Sequence, residues 1–573
     1  MRRDRMHVIC TGFIAGCLLA GIDTAWTQQP NPAVDNVFSD LSKPGSPGCA
    51  VGVYRNGKII YEKGYGLANL EESVPITPQS VFDVGSISKQ FTAASIVLLE
   101  KQGKLRLDDD VRKYIPELPN YSAQGGQKIT ILRLLNHTSG LRDYGLLFLA
   151  GVNPDSVTTN DDALGIIVRQ KGLNFSPGSN WQYSNSGYLV LSLVVERVSG
   201  KNLREFAEEN IFRPLGMTHT QYRNDHTSLI PHRALGYDRN EKGDFTLGVS
   251  YAEETGDGAV HTSVEDLQKW DENFYSGQIG GQDLAANMQE PAKLADGTVV
   301  GYAKGLFIDD YRGLTTLWHG GAWAGYRAYL VRVPQQHFSV ACLCNVGNAR
   351  PWTRAKEVVD VYLADLMKAE EKDSGADLRP EQLKAIAGLY QNPENGDVLR
   401  IALIDGNLQA DFGDGMRNLR PITSTLFHLL DYRPLETSLK FEPAHKATAR
   451  KFIVNRDKER PARFEAVDES KLAPADLSAY VGDYWSDELH VTYRLAMKNG
   501  NLWFKDLIGG DGLGHANIIP FSQLRPVVRD EFDLNGANLV FRFTRNTKGD
   551  VTGFVLNGFR ERGMLFAQLR DKN

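Results

Sequence analysis

Cysteine is scarce in this chain, five residues in 573. Cys10 and Cys17 fall in an apolar N-terminal run, which leaves Cys49, Cys342 and Cys344. Three cysteines are too few for a disulfide framework. All three stand in apolar, strand-like runs, which favours buried structural thiols; an oxidising compartment leaves room for one disulfide. No Cys/His metal spacing and no glycine-rich nucleotide loop is visible, so neither a metal nor another cofactor is implied. There is no dense Lys/Arg block, and the net charge is a mild −6, which argues against nucleic acid as a partner. Beyond the N-terminus no stretch is long and apolar enough to span a membrane. The hydrophobic share of 42% and charged share of 23% are those of a soluble globular protein. The length suggests roughly three to four domains.

The N-terminus has the pattern of an export signal. Arg2, Arg3 and Arg5 precede the apolar run Val8 to Ile22, and Ala25-Trp26-Thr27 offers a small-x-small cleavage site before Gln28. Residues 1–27 are therefore expected to be removed, and the protein to be secreted or periplasmic. Ile14-Ala15-Gly16-Cys17 resembles a lipoprotein processing site, but Leu18 and Leu19 continue the apolar run and argue against it.

Residues 28–366 read as one α/β (α+β) unit. Asn56-Gly57 separates two β-rich runs and predicts a hairpin. A helical pattern begins at Ser86 and stops at Gly103; others cover Ile131-Leu135, Tyr188-Val198, Leu203-Ile211 and Val264-Phe274. Strands return at Leu317-Trp318, Tyr329-Val333 and Phe338-Cys344. A central antiparallel sheet built from both ends, with a helical insertion between, accounts for this order. The charged stretch at 367–377 reads as a linker.

The remainder is an internal repeat. Leu378, Pro380, Leu383, Gly388, Tyr390, Arg400 and Gly406-Asn407-Leu408 recur 94 residues later as Leu472, Pro474, Leu477, Gly482, Tyr484, Arg494 and Gly500-Asn501-Leu502. Further on, Leu419-Arg420-Pro421 recurs as Leu524-Arg525-Pro526 at an offset of 105. Two all-β, barrel-like domains are expected, 378–470 and 471–573. The growth of the offset by eleven residues falls near Ile508-Gly509-Gly510-Asp511-Gly512-Leu513-Gly514. That is a long glycine-rich loop of the kind that tends to be functional or disordered.

Three short motifs carry chemistry together: Gly85-Ser86-Ile87-Ser88-Lys89, Tyr183-Ser184-Asn185 and His319-Gly320-Gly321. Ser-x-x-Lys alone is weak, since roughly two matches arise by chance in a chain this long. The order and context of all three point to serine acyl transfer. Ser86 is the candidate nucleophile, and it needs a base to take its proton. Lys89 lies three residues on, on the same helix face, where the helix N-terminus favours a developing oxyanion. Lys89 in its neutral form or Tyr183 as a phenolate fits the role of base.

These residues resemble the serine β-lactamase and penicillin-binding superfamily, in the class C β-lactamase-like branch (peptidase family S12). The resemblance covers Val51 to Asn345. It extends to Leu134-Leu135-Asn136-His137-Thr138-Ser139-Gly140-Leu141, to Phe175-Ser176-Pro177-Gly178 and to Pro214-Leu215-Gly216-Met217. A catalytic domain followed by two β-domains is similar to the architecture of bacterial D-stereospecific aminopeptidases. The resemblance implies that Asn185 donates its amide to lysine and substrate. It also implies that the backbone N–H groups of Ser86 and Ala322 form an oxyanion hole, with Gly320 and Gly321 beside the substrate.

Where the family usually has Lys-Thr-Gly, this chain has His319-Gly320-Gly321. Histidine is mostly neutral at pH 7. The departure weakens the case for a β-lactamase or a D-alanyl carboxypeptidase, which hold a free carboxylate, and fits an aminopeptidase or esterase better. His137 reads as structural. In D-aminopeptidase-like proteins a loop of the last β-domain reaches the cleft; here Asp511 would pair with a substrate ammonium group, unless it is an exposed acidic turn. The function expected is an exported serine hydrolase of amides or esters, D-aminopeptidase-like, acting on a small peptide, amide or ester, with a homodimer left open. The alternatives are an esterase or D,D-peptidase, and a penicillin-binding sensor that acylates once. The β-domains are alternatively lipid- or peptide-binding barrels.

Overall fold

The computed structural model describes residues 31–569, apart from 125, 370–374, 412–415, 431–436, 443–449, 457, 469–473, 510–520, 535–538 and 559. The signal segment and Asp511 lie outside the described residues.

The catalytic unit is organised by a six-stranded antiparallel sheet drawn from both ends of the segment. Its spatial order is Phe307–Tyr311, Leu314–Trp323, Tyr326–Val333, Phe338–Cys344, Cys49–Arg55 and Lys58–Tyr65. The turn between the last two has Asn56 and Gly57 both at positive φ, 51° and 72°, the geometry a tight two-residue hairpin demands. Alternate residues enter two different cores, as a strand period of two requires. Val51, Val53, Val340 and Cys342 pack with Ala355 and Val358 of the helix Pro351–Leu363. Ala50, Tyr54, Ala341 and Leu343 point to the other face, toward Trp270 of the helix Val264–Ser276. The sheet is thus covered on both sides, which explains its near-continuous apolar strands.

The helical insertion follows the expected punctuation. The helix Ile131–Leu135 starts where the Thr130 side chain accepts from the Arg133 N–H. The helix Leu203–Ala207 starts on a reciprocal Asn202–Glu205 box. Asn185–Ser199 and Val264–Ser276 both end at a left-handed glycine, Gly200 and Gly277.

One expectation is corrected. Cys49 and Cys344 form a disulfide, and only Cys342 is a free, buried thiol among the described residues. The reason is register: Cys49 lies directly opposite Cys344 on neighbouring strands, with Cα atoms 4.0 Å apart. Cysteine spacing 295 residues apart carries no trace of that pairing.

The internal repeat resolves into two closed eight-stranded barrels, Gly388–Val467 and Gly482–Leu569. They agree in detail: Gly388 pairs with Ile401 as Gly482 pairs with Leu495. The Tyr390 hydroxyl donates to the Ile386 carbonyl, as that of Tyr484 does to Tyr480. Each interior is filled by its own aromatic rings, Tyr390, Phe441 and Phe452 in the first and Tyr484, Phe543 and Phe554 in the second. Among the described residues both interiors are occupied by side chains, as in small barrels. No helix among the described residues is long and apolar enough to cross a membrane.

Candidate active site

Ser86 sits in a single 3₁₀ turn, Gly85–Ser88, that runs into the α-helix Lys89–Lys101. In a 3₁₀ turn residues three apart eclipse, and Lys89 Nζ lies 3.0 Å from Ser86 Oγ. Lys89 is fully buried. Its Nζ also donates to the Asp257 carbonyl at 2.7 Å and to Asn185 Oδ1 at 2.9 Å, which corrects the expected sense: Asn185 accepts from the lysine through its amide oxygen and does not donate to it. Asn185 opens the helix Asn185–Ser199, and its N–H donates to Asp143 Oδ2 at 2.8 Å. Tyr183 precedes that helix and places its ring 4.9 Å from Lys89 Nζ.

Two glycines make this convergence sterically feasible. A Cβ at Gly321 would lie 1.9 Å from the Val84 carbonyl oxygen, so only glycine lets the strand Leu314–Trp323 press against the Ser86 turn. Gly256, at φ 114°, would place a Cβ 2.3 Å from the Tyr188 carbonyl oxygen; its absence lets the Asp257 carbonyl reach Lys89. Ala322 and Ser86 line one pocket. Gly320 is half-buried and accepts a hydrogen bond from its neighbour His319.

His319 is buried and takes part in a chain of four hydrogen bonds. The Ser184 N–H donates to His137 Nδ1 at 3.2 Å, so His137 carries its proton on Nε2 and donates to Tyr302 at 3.1 Å. The Tyr302 hydroxyl then donates to His319 Nε2 at 3.3 Å, and His319 Nδ1–H donates to the Gly320 carbonyl at 2.6 Å. Burial, helped by the Lys89 charge, pushes His319 down to about 3. The same two causes hold His137 well below the usual imidazole range. His319 is therefore a neutral group at pH 7, unlike the lysine it replaces. His137 has both ring nitrogens engaged, with Ser184 and Tyr302.

The pocket beside Ser86 has a volume of about 90 Å³ and is lined by several residues no sequence motif singled out. Asp257 and Glu254 come from Glu253-Glu254-Thr255-Gly256-Asp257-Gly258, a stretch with neither helix nor strand periodicity. Asp257 accepts from the Tyr144 hydroxyl at 3.2 Å, and burial raises its carboxyl above the ordinary range. Burial likewise raises Glu254 to about 7. The adjacent acids and glycines were the sole available signal.

The second barrel reaches this region through residues 560–563. The Arg560 guanidinium lies 5.0 Å from the Tyr183 ring centroid and 3.6 Å from Asp143 Oδ2. Nearby, Glu488 of the same barrel forms a buried ion pair with Arg142, 2.6 Å. Arg562 makes a two-pronged bond to Asp397 of the first barrel, 2.6 and 2.7 Å. The barrels are thus keyed to the loop that holds Asn185.

The family model for Beta-lactamase matches residues 34–363. Penicillin-binding protein 4* of Bacillus subtilis is 30% identical over 334 residues, 56% of this chain and 72% of that protein. D-aminopeptidase of Brucella ovis is 29% identical over 541 residues, 91% of this chain and 96% of that protein, so the similarity extends into the barrels. The octameric penicillin-binding protein homologue from Pyrococcus abyssi shares the fold, with a TM-score of 0.55 at 23% identity over 76% of this chain and 99% of that one. The chain belongs to the beta-lactamase family and is a serine hydrolase of that kind.

Proposed function

We propose that the chain is an exported D-aminopeptidase-like hydrolase that forms an acyl-Ser86 intermediate and releases an N-terminal D-residue. The observation that carries this reading is Ser86 beside Lys89 at the mouth of a pocket whose wall holds a carboxylate, Asp257. A carboxylate there suits a substrate ammonium group. The neutral His319 supplies no fixed cation for a substrate carboxylate, which favours amines over carboxylate-bearing peptides. The length of the match to D-aminopeptidase supports the same choice. The Cys49–Cys344 disulfide supports export to an oxidising compartment, as does the Arg-rich, apolar N-terminus.

In this reading Lys89 is the base: Asn185 Oδ1 and the Asp257 carbonyl accept two of its N–H bonds, and its third contact is Ser86 Oγ at 3.0 Å, within reach of proton transfer. Ser86 Oγ attacks the amide carbonyl as Lys89 takes its proton, and the backbone N–H groups of Ser86 and Ala322 receive the oxyanion. In this reading Tyr183, whose ring centroid lies 4.9 Å from Lys89 Nζ, passes a proton to the leaving amine. Water then releases the acyl group. Asp511, outside the described residues, is a second candidate for the ammonium group.

The test is hydrolysis of D-alanyl-p-nitroanilide by the mature protein beside Ser86→Ala. Turnover lost in the variant is expected. No turnover by the wild type would reject the aminopeptidase reading and favour an ester substrate.

A further inference from the structure

The Ser86 pocket opens onto an apolar ledge. Trp323 lines the pocket beside Ala322 and is 43% exposed. Side chains alternate along a strand, so Trp323 faces the same side as Gly321. That is the side of the Ser86 turn, where a Cβ at Gly321 would meet the Val84 carbonyl oxygen. Ala252 also lines the pocket, and the segment leading to it turns alternate residues outward. Leu247 is 48% exposed, Val249 55% and Tyr251 39%, while Gly248 and Ser250 between them are half-buried.

The inward face of that segment is pinned. The Gly248 N–H donates to the Gly236 carbonyl at 2.8 Å, and the Ser250 carbonyl accepts from Arg223 Nη2 at 3.2 Å. A Cβ at Gly248 would lie 2.6 Å from the Ala324 carbonyl oxygen, so the segment abuts the turn that follows Trp323. Single exposed apolar residues are ordinary. Here they join into one border of the pocket mouth, and a contiguous apolar patch of that kind marks a site of interaction.

What meets this border follows from the reaction geometry. The acyl carbon lies at Ser86 Oγ, the ammonium group at Asp257 and the leaving amine at Tyr183, which stands outside the pocket lining. The leaving chain departs on the side of Tyr183. The group left to reach the ledge is the side chain of the acyl residue. The pocket volume of about 90 Å³ equals roughly three waters at ~30 Å³ each. It holds the ammonium group and Cα but not a bulky side chain as well, which extends to the mouth over Trp323. We propose that this ledge selects acyl residues with a large apolar side chain, D-leucyl or D-phenylalanyl, over D-alanyl and over a polar residue of the same size. The proposal rests on the aminopeptidase reading above.

The experiment compares kcat/KM of the full chain for D-phenylalanyl-, D-leucyl-, D-asparaginyl- and D-alanyl-p-nitroanilide. D-leucyl and D-asparaginyl are nearly isosteric, so that pair isolates polarity. D-leucyl and D-phenylalanyl should exceed D-alanyl and D-asparaginyl by about tenfold, the worth of covering about two carbons of apolar surface. Trp323→Ala, and separately the surface pair Leu247→Ser with Val249→Ser, should each bring the ratio of D-leucyl to D-alanyl below about threefold. A wild-type ratio below about twofold, or a ratio that neither variant changes, would overturn the ledge and leave the aminopeptidase reading standing. Sedimentation of the same proteins tests the other occupant: a wild-type dimer that the serine pair turns into a monomer would make the ledge a subunit interface and overturn the proposal. No turnover of any D-aminoacyl anilide would reject both readings.

Discussion

Tyr302→Phe removes one oxygen atom from a place where two histidines depend on it. The wild-type hydroxyl accepts from His137 Nε2–H and donates to His319 Nε2. Tyr302 is fully buried, so water does not easily replace it. In the variant both ring nitrogens lose their partner, and each unpaired buried group costs about 1–3 kcal/mol. The expected loss of stability is therefore about 2–6 kcal/mol. For a unit of this size each kcal/mol moves the midpoint by roughly 2–4 °C, so the midpoint should fall by about 4–24 °C. Urea and thermal unfolding of the full chain at pH 7 measure this directly. The bonds from Lys89 to Ser86, Asn185 and Asp257 do not involve Tyr302. Activity at 25 °C should accordingly stay within about tenfold of wild type. A stability change below about 0.5 kcal/mol would mean that the proton chain from Ser184 to Gly320 is not formed as described.

Three further predictions probe other parts of the account. Asp257→Asn should raise KM for D-alanyl-p-nitroanilide by about 10- to 100-fold, the worth of a charge-assisted hydrogen bond; an N-acetylated ester should be little affected, and equal effects on both would refute the ammonium role. His319 is held at about 3 in the folded protein, below its unfolded value of about 6.5. The stability this neutral burial contributes is present above pH 6.5 and lost as pH falls toward 3. Between pH 6.5 and 5 the wild type should therefore lose about 2 kcal/mol more than His319→Asn, read by denaturation at each pH; parallel curves would contradict it. Arg560→Ala should lower kcat by about tenfold through loss of its packing on Tyr183, and Arg560→Lys should restore part of it; a change confined to thermal stability would show that the barrel loop only holds the domains together.

The sheet and both barrels were legible because their signals are local. Asn56-Gly57 marks its own turn, and the second barrel repeats the first residue by residue. The motif residues were legible for the same reason: Ser86 and Lys89 are three apart, Tyr183 and Asn185 two apart. What stayed hidden depends on distant strands meeting. The Cys49–Cys344 bond exists because the first and last strands of the unit are neighbours. Asp257 and Arg223 enter the pocket from loops whose composition says nothing about where they fold. Arg560 is the sharpest case. A glycine-rich insertion drew attention to one barrel loop, while the cation beside Tyr183 comes from another with no unusual composition. Its position follows from how the barrel docks, through Arg142 and Glu488.

The central claim is a covalent acyl group on Ser86. Mixing the mature protein with a D-alanyl ester, quenching in acid within seconds and weighing the intact protein tests it directly. The account predicts one added alanyl group, mapped to the peptide containing Ser86 and missing in Ser86→Ala. An adduct on another residue, or unchanged turnover by Ser86→Ala, would contradict it.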